Sequence, residues 1–199
     1  MKPYYILFAL MVSVSLASGQ PSWKLVRNKN GIHVYTASTE KSKFKSIRVQ
    51  TVLEGTILKL MQILGDISKH PEWVYKAKSA TIVKQISPNE FIYYTETTLP
   101  WPASNRDAII HLTMVPDTAQ HALNIIAFSE PDLLEKKEGL VRIPYTNAKW
   151  HVTESNNQIT IDYVFEVDPG GDLPAWLVNM MADKGPFESF NKLKIKLKS

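Results

Sequence analysis

Five histidines, no cysteine and a modest positive balance set the chemistry open to this 199-residue chain. The histidines are His33, His70, His111, His121 and His151. No two stand four apart on one helical stretch, and none sits in a zincin-like motif with a carboxylate, so no metal site is expected. The absence of cysteine excludes a disulfide framework, a thiolate metal site, a cysteine nucleophile and an acylated-cysteine anchor. No glycine-rich loop follows a strand to cradle phosphate; Gly170-Gly171 reads more simply as a joint at a strand end. No G-x-S-x-G elbow is present. The net charge of +4 and pI of about 9.1 are too mild to argue for nucleic acid, and the aromatics are not interleaved with arginine. The residues therefore point to no catalytic group, no cofactor and no nucleic-acid partner. They leave binding as the class to explore.

The elements that would build a binding site are legible. With 44% hydrophobic residues the chain can bury one ordinary core. Residues 1–19 read as a cleaved secretory leader, with a short positive start, an uncharged apolar run over 4–16 and small residues at 17–19. That run is shorter than the ~20 residues of a membrane-spanning helix. The mature domain is expected over 20–199, secreted or periplasmic. Next come strands around 31–36 and 43–53, the second with Ile47, Val49, Thr51 and Leu53 on one face. Thr56 caps a short helix bearing Ile57, Leu60, Met61 and Leu64, with Gly65 as its stop. Further strands are expected over 80–86, 90–99, 106–115, 121–128, 140–153 and 158–167. The stretch 106–115 puts Ala108, Ile110, Leu112 and Met114 on one face, and Asp107, His111 and Thr113 on the other. The stretch 158–167 alternates most cleanly. One buried and one wet face mean an antiparallel sheet.

After Gly170-Gly171, Asp172 is expected to cap a long helix with Pro174 in its first turn. Leu173, Trp176, Leu177, Met180, Lys184, Phe187, Phe190, Leu193 and Leu197 recur every three or four residues as its apolar stripe. Pro186 should bend or split that helix. The expected fold is α+β: a curved antiparallel sheet of seven to nine strands gripping one long C-terminal helix. A cavity between sheet and helix would take an apolar ligand.

The sequence at residues 100–107, Pro-Trp-Pro-Ala-Ser-Asn-Arg-Asp, resembles the loop-and-strand signature of START (steroidogenic acute regulatory protein-related lipid transfer) domains. Residues 31–35, Val141-Arg142 and the stretch 168–179 are similar to the same family, in the same order, so the resemblance spans 23–197. It resembles short bacterial members, without the N-terminal helix of larger ones. The resemblance implies a helix-grip fold whose sheet and C-terminal helix enclose a tunnel for one hydrophobic ligand, usually a lipid, with the helix as lid. It implies a role in lipid binding and transfer. Lys192, Lys194, Lys196 and Lys198 make a basic end that is either a solvated tail or drawn to an anionic membrane surface, and Leu133-Leu134 is either a membrane-touching tip or tucked inward.

The residues expected at the ligand are Tyr94, Glu96, Ile110, Leu112, Arg142, Trp176, Leu177, Met180 and Phe187. Sterol-binding members carry a buried acid–arginine pair. Glu96 falls where the acid would lie, but Leu112 stands near the place of its partner. Glu96 would then face solvent, be protonated, or meet Arg142 or a ligand amine. Two other readings stay open. One is an enzyme of cyclase or hydrolase type, with Tyr94, Glu96, His111 and Arg142 converging in the cavity. The other is an interaction domain with a filled core.

Overall fold

The computed structural model describes residues 22–39 and 42–199, and within them the side chains of Thr39, Ala175 and Met180 are left undescribed. The stretch read as a leader, 1–19, lies outside the described residues.

Ten strands form one sheet: β1 (Lys24–Lys29), β2 (Ile32–Thr39), β3 (Ser42–Glu54), β4 (Ala77–Ser87), β5 (Glu90–Thr97), β6 (Asn105–Asp117), β7 (Ala122–Ser129), β8 (Leu140–Arg142), β9 (Tyr145–Ser155) and β10 (Gln158–Asp168). Their order is β1-β2-β3-β10-β9-β7-β6-β5-β4, all antiparallel, while the short β8 lies parallel to β6. Ten strands stand against the expected seven to nine, because Lys24–Lys29 forms a strand of its own and the stretch 140–153 divides at Ile143-Pro144 into β8 and β9. Proline cannot donate to a ladder, so pairing stops there.

Alternation decides the inner face. Ile47, Val49 and Leu53 of β3, Ile110, Leu112 and Met114 of β6, and Ile159 and Ile161 of β10 are buried in one continuous core. Most residues that point the other way on these strands, such as Arg48, Gln50, His111, Thr113 and Thr160, are charged or polar, so much of the outer face is wet, with Val52 an exposed exception. Between β3 and β4 lie helix α1 (Ile57–Gly65), a 3-10 turn (Ile67–Lys69) and one helical turn, α2 (His70–Trp73). The Thr56 side chain accepts the Lys59 N–H at 3.2 Å and opens α1, as expected from the sequence.

The C-terminal helix, α3 (Ala175–Lys198), lies across β1, β2 and β3 and meets α1 and α2. Its buried residues Phe187, Phe190, Leu193 and Leu197 fall at helical spacing. One sequence expectation changes here, and one of the two outcomes expected at Pro186 is excluded. Asp172 does not cap the helix: it is exposed, and the Pro174 carbonyl accepts the first helical N–H, that of Leu177, at 2.9 Å. Asp168 does the local work instead, its carboxylate accepting the Gly170 N–H at 2.9 Å, while Gly170 and Gly171 supply the left-handed turns (φ +67° and +62°) that re-aim the chain. Pro186 does not split the helix, which runs through it as one element. The Ser189 hydroxyl donates to the Gly185 carbonyl at 3.0 Å and accepts the Tyr75 N–H at 2.9 Å, pinning α3 at this proline to the segment after α2.

A cavity between sheet and helix

A cavity of about 390 Å³ lies between α3 and the inner face of the sheet. Small side chains make the room. One row across the sheet runs Leu112, Ala127, Ala148, Phe165, Ile47, with Ala127 and Ala148 paired directly. Ala108, two residues before Ile110 on β6, lines the same space. Three alanines facing a helix leave a void that leucines would fill. The helix contributes Leu177, Met181, Ala182 and Phe190, with Leu173 from the segment before it. Trp150 and Tyr163 pack on Phe190 at 5.2 and 5.4 Å between ring centroids and close the wall beneath it.

Two sets of polar groups stand on the wall. One holds His70 and Trp73 of α2 with Tyr93 and Tyr163. The His70 ring lies 5.3 Å from both Trp73 and Tyr93. Its Nε2 stands 3.0 Å from the Leu64 carbonyl, which can only accept, so Nε2 carries the proton. Burial lowers the pKa of His70, keeping the ring neutral near pH 7, and the bond to Leu64 opposes this only in part. Burial raises Tyr93 and Tyr163 far above the usual phenol range, so both remain neutral donors. The Trp73 Nε1–H is buried without a partner among the described residues. The second set, Lys45, Thr97, Arg106, Thr146 and Asn179, lies toward the segment that leads into α3.

The residues expected at the ligand do not come together as one group. Ile110, Leu112 and Leu177 line the cavity. Phe187 is buried, but on the side of α3 facing β1, where the Arg27 guanidinium lies 5.1 Å from its ring. Trp176 is 68% exposed in the first turn of α3. The Met180 side chain is outside the described set.

Tyr94, Glu96 and Arg142 lie on the other face of the sheet. On β5 it is Tyr93, Thr95 and Thr97 that point inward, so Tyr94 and Glu96 point out. Tyr94 donates to Glu96 at 3.0 Å, and Lys78 and Lys137 flank the carboxylate at 3.2 and 3.6 Å. Arg142 grips Asp107 with two bonds of 2.9 and 3.0 Å and holds the carbonyls of Pro131, Leu134 and Glu135. It anchors the 130–139 loop. His111 is also on this outer face, its ring between Glu90 at 2.8 Å and Glu130 at 2.6 Å. The four groups an enzymatic reading would assemble in the cavity therefore stand outside it.

Several wall residues escape a reading based on one face of one strand: Lys45, His70, Trp73, Tyr93, Thr146 and Trp150. Pairing would have found some of them. Tyr163 and Phe165 alternate legibly on β10, and the residues opposite them, Trp150 and Ala148, must share their face.

A sheet that grips one long helix over a mainly apolar cavity is the helix-grip architecture. The chain belongs to the START domain family, whose model matches residues 9–198. It is 25% identical to the uncharacterized protein PA1579 of Pseudomonas aeruginosa over 190 residues, covering 95% of this chain and 93% of that one. It is 26% identical to the human phosphatidylcholine transfer protein over 170 residues, 82% of this chain and 78% of the relative. The crystal structure of a StAR-related lipid transfer protein (fragment 25–204) from Xanthomonas axonopodis superposes with a TM-score of 0.82 at 26% identity, covering 89% of this chain and 99% of that one.

Proposed function

We propose that this protein binds one lipid in the cavity under α3 and carries it between membranes, outside the cytoplasm and after removal of residues 1–19. The observation that carries this reading is the cavity itself: about 390 Å³, walled mainly by apolar side chains, in a START domain. The relatives named for phosphatidylcholine transfer support it. The mechanism is physical. Shielding a lipid tail from water is favourable by about 25 cal/mol per Å² of apolar area, and the wall supplies that shield.

The lid is the N-terminal half of α3. Its C-terminal half is fastened by the buried Phe190, Leu193 and Leu197. The N-terminal half is held by lighter ties: Asn179 accepts the Lys45 N–H at 3.3 Å, and Asp183 pairs with the partly exposed Arg27 at 2.6 Å. Such contacts are each worth about 1 kcal/mol or less, so opening there is cheap enough for exchange. Trp176 stands at that end. Trp101, 93% exposed, stands on the neighbouring 98–104 loop, which Arg106 joins to Pro169 and Gly170 through the Ser104 carbonyl. Two exposed indoles at the opening suit transient contact with a membrane interface. The basic tail suits it less, because Lys194, Lys196 and Lys198 are engaged by Asn30, Glu72 and Glu54.

The test is native mass spectrometry of the protein purified from the cells that make it, followed by solvent extraction. One lipid per chain is the expected result. An empty protein that also takes up no phospholipid, fatty acid or sterol probe would overturn the reading.

A further inference from the structure

The cavity holds a positive charge that no carboxylate answers. Arg106 is only 4% exposed. Its guanidinium donates to the carbonyls of Pro169 at 3.4 Å, Gly170 at 3.2 Å and Ser104. Among the described residues, no carboxylate oxygen lies within 4 Å of it. Asp107, its neighbour in sequence, points to the outer face and is taken by Arg142.

The contrast between these two arginines is informative. Both are buried and adjacent in the sheet, where β8 runs beside β6, yet only Arg142 has an acid. An arginine stays protonated even where burial lowers its pKa, as it does here. A buried cation without a counter-charge is costly. Two further groups point the same way. The Thr146 hydroxyl lines the same cavity, buried, with no hydrogen-bond partner among the described residues. Lys45, two residues before Ile47 on β3, lines it too and has no ion-pair partner among them.

We infer that the ligand supplies the missing anion: it is an amphiphile with a carboxylate or phosphate head seated against Arg106, Lys45 and Thr146. Its tail runs along Ile110, Leu112, Phe165 and Leu177. The inference rests on the lipid-binding reading and names the ligand class within it. The head sits where α3 begins, at the end that opens, so it is the first group to meet water when the lid opens.

The experiment uses cis-parinaric acid, a fluorescent fatty acid, and its methyl ester, which keeps the chain and removes the charge. The full chain is stripped of bound lipid and titrated with each. The acid is expected to bind at least about tenfold more tightly, the gain of charge-assisted hydrogen bonds over neutral ones. Lys45→Gln and Thr146→Val should each weaken the acid by about threefold or more and leave the ester unchanged. Neither residue holds the fold together as Arg106 does, so both variants remain informative if Arg106→Gln fails to fold. Competition by lysophosphatidic acid against oleate then separates a phosphate head from a carboxylate head. Equal binding of acid and ester, with both variants unchanged, overturns the anionic head and leaves lipid binding standing. If acid, ester and lysophosphatidylcholine all fail to bind, lipid binding itself falls, and this inference with it.

Discussion

Replacing Asp107 by alanine separates a structural ion pair from a ligand contact. The Asp107 and Arg142 side chains are 1% and 2% exposed and joined by bonds of 2.9 and 3.0 Å. Alanine leaves the guanidinium buried with only the carbonyls of Pro131, Leu134 and Glu135. Removing one partner of a buried pair costs about 3–5 kcal/mol. In a domain of this size each kcal/mol lowers Tm by roughly 2–4 °C, so the fall should be roughly 6–20 °C. Thermal unfolding followed by circular dichroism measures the fall in Tm, and urea unfolding the loss of stability. The double variant Asp107→Leu, Arg142→Met should recover part of the loss, because apolar side chains need no counter-charge, but not all, because the 130–139 loop loses its anchor. Affinity for cis-parinaric acid, measured where Asp107→Ala is still folded, should change by less than about threefold, since both groups stand on the face away from the cavity. A loss of stability below about 1 kcal/mol, or loss of binding in a folded variant, would refute the reasoning.

Filling the cavity is a second perturbation: Ala148→Phe should lower ligand affinity by at least about tenfold while stability stays within about 1 kcal/mol, because the ring occupies a void rather than an occupied core. Titration with a fluorescent lipid and a urea curve check the two halves. His111 should make stability pH-dependent. Burial pulls its pKa down, but the bonds to Glu130 and Glu90 together raise it above the ordinary value. A raised folded-state value means that its contribution is complete below the unfolded pKa of about 6.5 and is lost as pH rises through the folded one. His111→Gln should flatten the urea midpoint between about pH 6 and pH 9 relative to the parent protein. Gly170→Ala should destabilise by about 1–3 kcal/mol in the same assay, from a left-handed backbone. Its φ is +67°, and the added Cβ would stand 2.9 Å from the Arg142 carbonyl oxygen.

Where the sequence could be read and where it could not follows from the contrast between faces. On β6 the outer Asp107, His111 and Thr113 are polar, Ile109 being the apolar exception, and the inner Ala108, Ile110, Leu112 and Met114 are not, so the phase is still readable and Ile110 and Leu112 are placed inward correctly. On β5 both faces are apolar: Phe91 and Tyr93 on one side, Ile92 and Tyr94 on the other. The outer pair is buried because Ile92, Tyr94 and Ile109 form a small second cluster of their own. Alternation carries no phase in such a strand, and the error of one residue sends Tyr94 and Glu96 to the wrong face. The C-terminal helix is legible by period from Phe187 onward, where it lies over the core, and misleading at Trp176, where it does not. His70 and Trp73 reach the cavity from a single helical turn too short to show any period. The alanines that make the cavity are invisible singly; only the pairing of β7 with β9 puts Ala127 beside Ala148.

The strand order has a consequence for how the chain is made. Among the described residues, β1–β3 and β4–β9 meet in the sheet only through β10, which pairs with β3 on one side and β9 on the other. Arg48 and Asp162, bonded across that seam at 2.7 Å, are 114 residues apart. Until a ribosome has released β10, the two halves present unpaired edges at β3 and β9, and such edges recruit other chains. The sheet cannot close until about four-fifths of the 199-residue chain has been made, so folding is late, dominated by distant contacts and correspondingly slow. A nascent or truncated chain that ends before residue 158 is therefore a pair of open sheets, prone to aggregation and in need of a chaperone.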